Sequence, residues 1–568
     1  MIIGAALFLA TALVVVWQNS RLAVLWDLSY ILENSYRMSL GDVPYRDFLF
    51  PYPPLTFLIQ AAIIKLGGRV FWHTIVYGAI VGGTATLVTW RIALSVLRDR
   101  VAHAQAIALI FTLPLIVLGI YCIFPHPFYD PDCAFAILLA AFLLQRADRK
   151  HSSVAASLGA GIAIVIPLFI KQNMGLAFLV TVTSGILLIA VIEKLRGEAI
   201  RRYVLILIGA AGALGVAILL IHFTAGLRNY WHWTIQFAAA RRTPARDEMI
   251  EIYKSKTVLI SVAIFALGCA LSWFARKRSV GWLTPIVISI VSAPFVWPAI
   301  YLLIDHDSSE RADRLLNVWP LVLIVSLVAA IIAIRKRRGF DLILPFVLIA
   351  TINGTFMSQQ LWGSTYAIWP LLVILLACVL RDIDFLTARR TALAFAAIVS
   401  ACLLAAGGAY VYSHERLDYA NLDEGVLTAS SLPALKGMRT RGPWLSNFEE
   451  LIRYTDSNIP RDEPLLIIPG EDLFYYTTGR RPQFPALLFD HTVNPYSPAE
   501  IVKLARDRNI NWVIIKQDLQ DEDEGIEKQR DDLTEALEEE FEQVESLNGY
   551  DIYKRGEPDD DSPDESSR

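Results

Sequence analysis

The chain has 568 residues, of which 55% are hydrophobic and 19% are charged, whereas about one quarter of the residues of a soluble globular protein are charged. Its formal net charge of −4 does not indicate a nucleic-acid partner, because proteins that bind nucleic acids carry strongly basic surfaces. The five cysteines include no CxxC pair, so their spacing indicates neither a metal ribbon nor a disulfide framework. The composition predicts an integral membrane protein.

Thirteen apolar runs predict an all-α polytopic membrane domain over residues 1–411. A helix needs about 20 residues to cross the hydrocarbon core, and a backbone in lipid must satisfy its own hydrogen bonds. The first run lacks a basic n-region and a cleavage site, so we expect a retained span. The predicted spans are residues 2–17, 70–90, 103–122, 132–146, 153–170, 174–193, 203–223, 256–275, 281–304, 315–334, 341–357, 364–380 and 391–411.

Basic residues predict the orientation of these spans, because short loops rich in lysine and arginine stay in the cytoplasm. The apolar run 53–66 would disturb the alternation as a span, and its 14 residues favour an interfacial or re-entrant helix on the outer face; a short tilted span is the alternative. We therefore expect a multi-pass protein of the inner (plasma) membrane with its C-terminal region outside the cytoplasm. The basic clusters lie in alternate loops, at 91–100, 146–150, 194–202, 276–278, 335–338 and 381–390.

The first outer loop carries a carboxylate close to the membrane surface. Asp27 follows Trp26 just after the first span, and an apolar wall beside a carboxylate raises its basicity. The alternative is a helix N-cap, a position that aspartate favours. Tyr45 and Asp47 lie further along the same aromatic and acidic loop.

The second outer loop, residues 123–131, reads IFPHPFYDP and runs into Asp132. It places His126, Asp130 and Asp132 at the mouth of the next span. In a loop stiffened by prolines, these side chains suit a divalent cation site, a general base or the binding of sugar hydroxyls. Asp132 can instead cap the helix that begins there. No cofactor is assigned, and dependence on a divalent cation stays open.

Several further polar residues are candidates for binding a substrate at the outer face, and the cationic ones among them for binding an anion. Lys171 and Gln172 interrupt the apolar sequence between two spans, where a lysine either snorkels to the interface or binds an anion. Arg241 and Arg242 lie in the long loop 224–255, and arginine recognises phosphate bidentately. Two loops that each precede a tryptophan–proline pair add the last candidates, Arg314 and Tyr366.

The C-terminal region, residues 412–556, alternates helix and strand patterns, which predicts a small α/β domain. Residues 557–568 lack apolar side chains and are predicted to form a disordered acidic tail. No catalytic set stands out in this region, so we expect it to support the membrane domain or to dock an acceptor. The predicted helices are 446–457, 498–508 and 525–542, and the predicted strands are 464–469, 511–517 and 550–555.

The first outer loop contains an aspartate, then G-x-x-x-Y-x-D, then a proline pair: Asp27, Gly41, Tyr45, Asp47, Pro53 and Pro54. This pattern resembles the first outer loop of the integral-membrane glycosyltransferases of the GT-C superfamily. It is most similar to the branch that holds the protein O-mannosyltransferases and the aminoarabinose transferase of lipid A. FYDPD at 128–132 looks like the second acidic motif of that branch. The run from Arg314 to Pro320, or that from Tyr366 to Pro370, looks like its motif at the start of a late span.

This resemblance implies an enzyme that transfers a hexosyl or pentosyl group from a polyprenyl-phosphate sugar, with inversion, on the outer face of the membrane. The acceptor would be a lipid, a glycan or a protein, with membrane lipids as neighbours. Asp27 would be the base that deprotonates the acceptor, and Asp130 would orient the sugar or acceptor. The leaving phosphate would be held by Lys171, Arg241, Arg242 and Arg314. Further substrate contacts would come from Tyr45, Asp47, His126, Asp132, Gln172 and Tyr366.

Two other functions remain as alternatives. A multi-spanning transporter or flippase needs a polar path at the bilayer midplane, whereas the polar residues here gather at one face. The second alternative is a non-catalytic scaffold, which would tolerate the loss of Asp27, or a cell-envelope polysaccharide ligase or polymerase. A ligase would use the same donor on the same face, so the sequence does not separate it. The absence of Walker A, G-x-S-x-G, HExxH and Rossmann motifs argues against an ATP-driven pump, a serine hydrolase and a nucleotide-sugar enzyme.

Overall fold

The computed structural model describes residues 2–19, 25–98, 100–149, 152–278, 281–304, 318–355, 367–383, 389–412, 425–490, 493–519 and 524–556. The chain divides into two compact units. The helical unit consists of Met1–Leu22, Pro51–Ile59 and Trp72–Leu422, and the C-terminal unit consists of Ala23–Phe50, Gln60–Phe71 and Asp423–Arg568. Most of the first outer loop therefore belongs to the same unit as the C-terminal region. The predicted acidic tail, 557–568, lies outside the described residues.

Up to residue 412, the described part of the chain consists of helices joined by turns and loops. Prolines shorten two of the predicted spans, because proline cannot donate a backbone hydrogen bond: Pro114 separates α5 from α6, and Pro167 lies in the short 3₁₀ turn after α8. The helices are α1 (Ile2–Asn19), α2 (Leu25–Ser39), α3 (Leu55–Gly67), α4 (Trp72–Leu97), α5 (Ala104–Thr112), α6 (Leu115–Leu118), α7 (Tyr129–Ala147), α8 (Val154–Ala163), α9 (Gln172–Leu195), α10 (Arg201–Thr224), α11 (Leu227–Trp231), α12 (Ala238–Arg242), α13 (Arg246–Lys254), α14 (Lys256–Lys277), α15 (Thr284–Ile304), α16 (Val318–Ala333), α17 (Phe340–Gly354), α18 (Trp369–Asp382) and α19 (Arg389–Tyr412).

Seven helices in the described part of the chain are long and apolar enough to cross a membrane. Large apolar side chains are exposed on several of them: on α10, Phe223 is 79% and Leu220 is 61% exposed, as expected for a surface that lipid covers. These features identify an integral membrane protein, while the count of thirteen spans stays a prediction. The seven segments are Ile2–Asn19, Trp72–Leu97, Gln172–Leu195, Arg201–Thr224, Lys256–Ala275, Trp319–Lys336 and Arg390–Ala409.

The apolar run that was predicted to lie at the outer surface forms α3, a helix of 13 residues. At 1.5 Å per residue such a helix is about 20 Å long, which is less than the roughly 30 Å thickness of the hydrocarbon core. Its length agrees with an interfacial or re-entrant position. Its first residues belong to the helical unit and its last residues to the C-terminal unit.

Helices of the helical unit pack in pairs, as α1 with α4, α8 with α10, α9 with α17 and α15 with α19. Buried polar contacts accompany this packing, as is usual between helices in a membrane. Thr11 of α1 donates to Thr86 of α4 at 3.1 Å between hydroxyl oxygens. At the end of α1, the Nδ2 of Asn19 donates to the Pro125 carbonyl at 3.0 Å. This last contact fixes the second outer loop against α1.

The C-terminal unit contains a four-stranded sheet in the order β3-β4-β6-β5. Strands β3 and β4 are parallel, and both other pairs are antiparallel. Every residue of β3 and β4 is buried, as expected where helices cover both faces of a parallel pair. The elements are β1 (Thr428–Ala429), β2 (Arg439–Thr440), α20 (Trp444–Asn458), β3 (Leu465–Ile468), α21 (Phe474–Thr478), α22 (Pro498–Asp507), β4 (Trp512–Lys516), α23 (Glu524–Glu538), β5 (Phe541–Leu547) and β6 (Tyr550–Arg555).

The predicted helix over 525–542 is wrong at its C-terminal end. The helix α23 ends at Glu538, and Phe541–Leu547 is a strand that pairs with β6. A two-residue Asn548-Gly549 connection joins the two strands, and Gly549 has φ +77°. An Asn-Gly pair between two strands is a strong hairpin signal, and it outweighs the helical propensity of the preceding glutamates.

Candidate functional site

Asp27 lies in the first turn of α2, where it is partly buried. A carboxylate near the N-terminus of a helix interacts favourably with the helix dipole. Because Asp27 is within the helix, which begins at Leu25, it is not the N-cap, so that alternative is wrong. Asp27 belongs to the C-terminal unit.

The G-x-x-x-Y-x-D pattern after α2 builds a compact turn. Gly41 has φ +103°, a backbone conformation that only glycine adopts without strain. The backbone N–H of Tyr45 donates to the Phe48 carbonyl at 3.0 Å. Asp47 accepts from the backbone N–H of Val43 at 2.8 Å and from Arg46 at 2.8 Å. The hydrogen bond from Arg46, followed by that from Val43, lowers the pKa of Asp47 to about 2.

These contacts give Tyr45 and Asp47 a structural role in the loop. The Tyr45 side chain is buried, and its ring meets that of Phe50 edge-on with centroids 5.7 Å apart. A substrate contact by either residue stays a prediction.

Asp130 and Lys171 form a buried ion pair in the helical unit. Asp130 is 1% exposed in the first turn of α7, and Lys171 is 7% exposed at the N-cap of α9. The Lys171 ammonium also lies 4.9 Å from the centroid of the Tyr129 ring, within cation–π range. Lys171 is therefore held inside the protein, and the alternative that it snorkels to the interface is wrong.

Asp132 has different partners although it lies only two residues beyond Asp130. Its two carboxylate oxygens accept hydrogen bonds from the hydroxyls of Thr56 at 2.8 Å, Tyr77 at 2.7 Å and Tyr121 at 2.6 Å. These bonds join the start of α3, the helix α4 and the segment between α6 and α7 to α7 itself. Phe128 is the N-cap of α7, so the prediction that Asp132 caps this helix is wrong, and its substrate role stays a prediction.

Aromatic rings pack against Tyr129, whose ring lies beside the Lys171 ammonium. The Tyr129 ring stacks on Phe128 at 4.0 Å and on Tyr52 at 4.5 Å between centroids. The buried His126 ring meets Phe124 edge-on at 6.0 Å. Flat aromatic surfaces with a polar handle suit the binding of amphipathic molecules.

The described residues offer no group of three or more histidine, cysteine or acidic side chains that could hold a metal ion. In particular, His126, Asp130 and Asp132 do not form such a group, although they are close in sequence. The interpretation of the second outer loop as a cation site is therefore not supported within the described chain.

Gln172, the neighbour of Lys171, connects the start of α9 to the long loop after α10. Its Nε2 donates to the carbonyl of Thr234 at 3.4 Å, in a π-helical turn over His232–Phe237. Such turns are rare and frequent at functional sites. Arg241 follows on α12, with its guanidinium 4.7 Å from the centroid of the Phe237 ring.

The structure brings together Asp130, Lys171 and Gln172 among the predicted site residues. The side chain of Arg242, at the end of α12, lies outside the described part of the structure. The predictions for Arg314 and Tyr366 also fall outside the described residues.

No protein-family model and no curated protein matches this chain. Among solved structures, it is similar to the oligosaccharyltransferase of Archaeoglobus fulgidus in complex with Zn and sulfate. The identity is 13%, the match covers 97% of this chain and 73% of that chain, and the TM-score is 0.50. The chain has the GT-C fold. The resemblance that the first outer loop indicates is thus confirmed at the level of the fold.

A second similar structure is ArnT from Cupriavidus metallidurans bound to undecaprenyl phosphate. The identity is 12%, the match covers 97% of both chains, and the TM-score is 0.42.

Four hydroxyl-bearing residues that the sequence did not indicate as candidates contact the predicted site residues. Thr56, Tyr77 and Tyr121 hold Asp132, and Tyr129 stacks over the ammonium of Lys171. Tyr77 and Tyr121 lie within predicted spans, where a hydroxyl needs a hydrogen-bond partner. The presence of two tyrosine hydroxyls in apolar sequence was therefore the signal that a buried hydrogen-bond acceptor lies near them.

Proposed function

We propose that this protein is a membrane glycosyltransferase that moves a sugar from a polyprenyl-phosphate donor to a lipid, glycan or protein acceptor. The observation that carries the proposal is the GT-C fold, which covers 97% of the chain. The acidic residues of the first two outer loops, which resemble those of this superfamily, support it. An enzyme on the outer face of the plasma membrane, with its C-terminal unit on that side, has no access to cytosolic nucleotide sugars and needs a lipid carrier.

Asp27 is the proposed general base. It removes the proton of the acceptor hydroxyl, whose oxygen attacks the anomeric carbon of the sugar while the bond to the phosphate oxygen breaks. A single displacement of this kind inverts the configuration at the anomeric carbon. A carboxylate within hydrogen-bond reach of the acceptor contributes typically 10²–10⁴-fold to the rate.

Lys171 is the proposed binding group for the leaving phosphate. Asp130 holds the ammonium of Lys171 in a buried position, which gives Asp130 a positioning role in addition to the predicted contact with the sugar or acceptor. A lysine keeps three donors, so its ammonium can contact both a carboxylate and a phosphate. Arg241, Arg242 and Arg314 are proposed to add positive charge for the same phosphate.

The test is turnover of purified protein in lipid nanodiscs with synthetic polyprenyl-phosphate sugars and a mixture of lipid, glycan and peptide acceptors. We expect wild type to release free polyprenyl phosphate and Asp27→Asn to do so at least about 100-fold more slowly, as for loss of a general base. Binding of the donor should be unchanged in this variant. The control is Asp507→Asn, the same chemical change at an exposed position of α22.

Two results would contradict the proposal. Wild-type protein that does not bind polyprenyl-phosphate sugars would exclude the transferase. Movement of the intact donor across the bilayer without cleavage would instead favour a flippase.

A further inference from the structure

The helix that carries Asp27 is fixed to the rest of the C-terminal unit along one face. Ser29, Glu33 and Arg37 are spaced four residues apart, which places them above one another on a helix. All three are buried, and Glu33 is only 3% exposed. Each uses its polar group to bind backbone atoms of residues 470–484, which we call the anchor segment.

The contacts of this face are specific hydrogen bonds. The Ser29 hydroxyl lies 2.7 Å from the Gly470 carbonyl and 2.9 Å from the Asp472 carbonyl. The two carboxyl oxygens of Glu33 accept from the backbone N–H of Tyr476 at 3.1 and 3.0 Å. The Nη1 of Arg37 donates to the carbonyl of Phe484 at 2.7 Å.

The anchor segment is itself held by a buried charged cluster at the C-terminal ends of β3 and β4. Asp472 accepts from the Lys516 ammonium at 3.0 Å, from the Trp444 indole at 2.7 Å and from the Tyr550 hydroxyl at 2.9 Å. Glu471 pairs with the same ammonium at 3.3 Å. These bonds connect the anchor segment to the sheet, so the hydrogen bonds of α2 are linked through this segment to β3 and β4.

Asp27 is on a different face of α2. Successive residues are about 100° apart around a helix, so Asp27 is displaced by roughly 160° from Ser29 and by roughly 120° from Glu33, away from the centre of the anchored face. A change in the rotation or register of α2 on the anchor segment would therefore move Asp27 directly.

Holding α2 on the anchor segment through Glu33 costs free energy, because a carboxyl group is buried. Burial raises its pKa well above the ordinary value, although the N–H groups of Tyr476 and Tyr475 and the charge of Arg69 oppose the rise. An apolar side chain would bury at lower cost but would not select one register, because hydrophobic contact has no direction. Buried polar groups fix register in other helical systems.

We propose that Glu33 is a positioning residue, which fixes the register of α2 on the anchor segment and thereby sets the position of Asp27. The proposal rests on the proposed function for the role of Asp27, but the structural part stands without it. It assigns the C-terminal unit the task of orienting the catalytic base. Errors of about 1 Å in such a group can cost about 100-fold in rate.

The structural part is tested by hydrogen exchange of the full-length protein in nanodiscs. We expect Glu33→Ala to increase exchange in residues 25–39 and 474–478 at least tenfold, while α22 and β4 stay protected. Glu33→Gln, which keeps one acceptor oxygen, should restore much of the protection. Ile501→Ala, which removes a buried side chain on α22, is the control for general loosening of the unit. Unchanged exchange of α2 in Glu33→Ala would overturn the proposal whether or not the protein transfers a sugar.

The catalytic part is tested by a double-mutant cycle with the polyprenyl-phosphate sugar as substrate. We expect Glu33→Ala to lower kcat 10- to 100-fold with less than a twofold change in the affinity for the donor, and Ile501→Ala to spare kcat. In the Asp27→Asn background, Glu33→Ala should have no further effect on kcat, because residues that act through one group are not additive. Equal effects of Glu33→Ala in both backgrounds would overturn the proposal. Normal turnover of Asp27→Asn would instead remove the proposed base and leave the anchoring result intact.

Discussion

At the scale of single residues, two carboxylates in one short motif have separate tasks. Asp130 neutralises a buried ammonium, whereas Asp132 accepts three hydroxyl hydrogen bonds and joins neighbouring segments. The sequence identified both residues as candidates, and also Lys171. It did not pair Asp130 with Lys171, because the two are 41 residues apart and only packing of α7 against the start of α9 makes them neighbours.

The buried Asp130–Lys171 ion pair predicts how the loss of one partner changes the stability of the protein. Lys171→Met leaves the Asp130 carboxylate buried without its cation, which costs about 3–5 kcal/mol of stability. We expect a clear fall in the thermal unfolding midpoint of the protein in detergent. Asp130→Asn combined with Lys171→Met should recover part of the loss, because no unpaired charge is then buried. A double variant whose loss equals the sum of the two single losses would contradict this account.

At the scale of elements, local sequence patterns predicted most helices and strands of the C-terminal region, but one strand was not predicted. The predicted helices and strands of the C-terminal region match α20, α22, β3, β4 and β6 to within a few residues, because periodicity and burial patterns are local. The strand β5 was missed because its residues are mostly exposed and rich in glutamate. The Asn548-Gly549 pair was the overlooked signal.

The turn between β5 and β6 predicts how a substitution of Gly549 changes the stability of this hairpin. Gly549 has φ +77°, where a Cβ atom costs about 1–2 kcal/mol. We expect Gly549→Ala to loosen β5 and β6 by about that amount, measured by hydrogen exchange of residues 541–555. Gly556→Ala, at a glycine whose nearest neighbouring atom is 3.7 Å from an added Cβ, is the matched control. Equal protection in the two variants would show that the turn does not set the stability of the hairpin.

At the scale of the whole molecule, the chain does not divide in sequence order. The first outer loop leaves the helical unit after α1, joins the C-terminal unit, and returns before α4. Buried polar groups such as Glu33 and Ser29 make this connection. The helix with the proposed base therefore belongs to the unit for which the sequence indicated a role in support or in acceptor docking.

The burial of Glu33 predicts a pH dependence of the C-terminal unit. Its folded-state pKa is raised above the ordinary 4.5, so between these two values the folded state binds more protons than the unfolded state. The stability that Glu33 contributes is therefore greatest below pH 4.5 and falls as the pH rises through its folded-state pKa. We expect the difference in thermal midpoint between wild type and Glu33→Gln to shift against wild type as the pH rises from 4.5. A difference that is constant with pH would contradict the assignment, in which Arg69 and Asp472 are the other charges facing Glu33.

The sequence by itself determined the membrane-embedded character, the small α/β region and the resemblance to the GT-C superfamily. Each of these depends on local composition, on periodicity or on short motifs, which are properties of neighbouring residues. The tertiary structure decided which charges pair, that three hydroxyls hold Asp132, and that α2 is anchored to the C-terminal unit by Ser29 and Glu33. Such contacts join residues up to several hundred positions apart, and the partner of a buried polar group is selected by the packing of whole elements rather than by its neighbours in sequence.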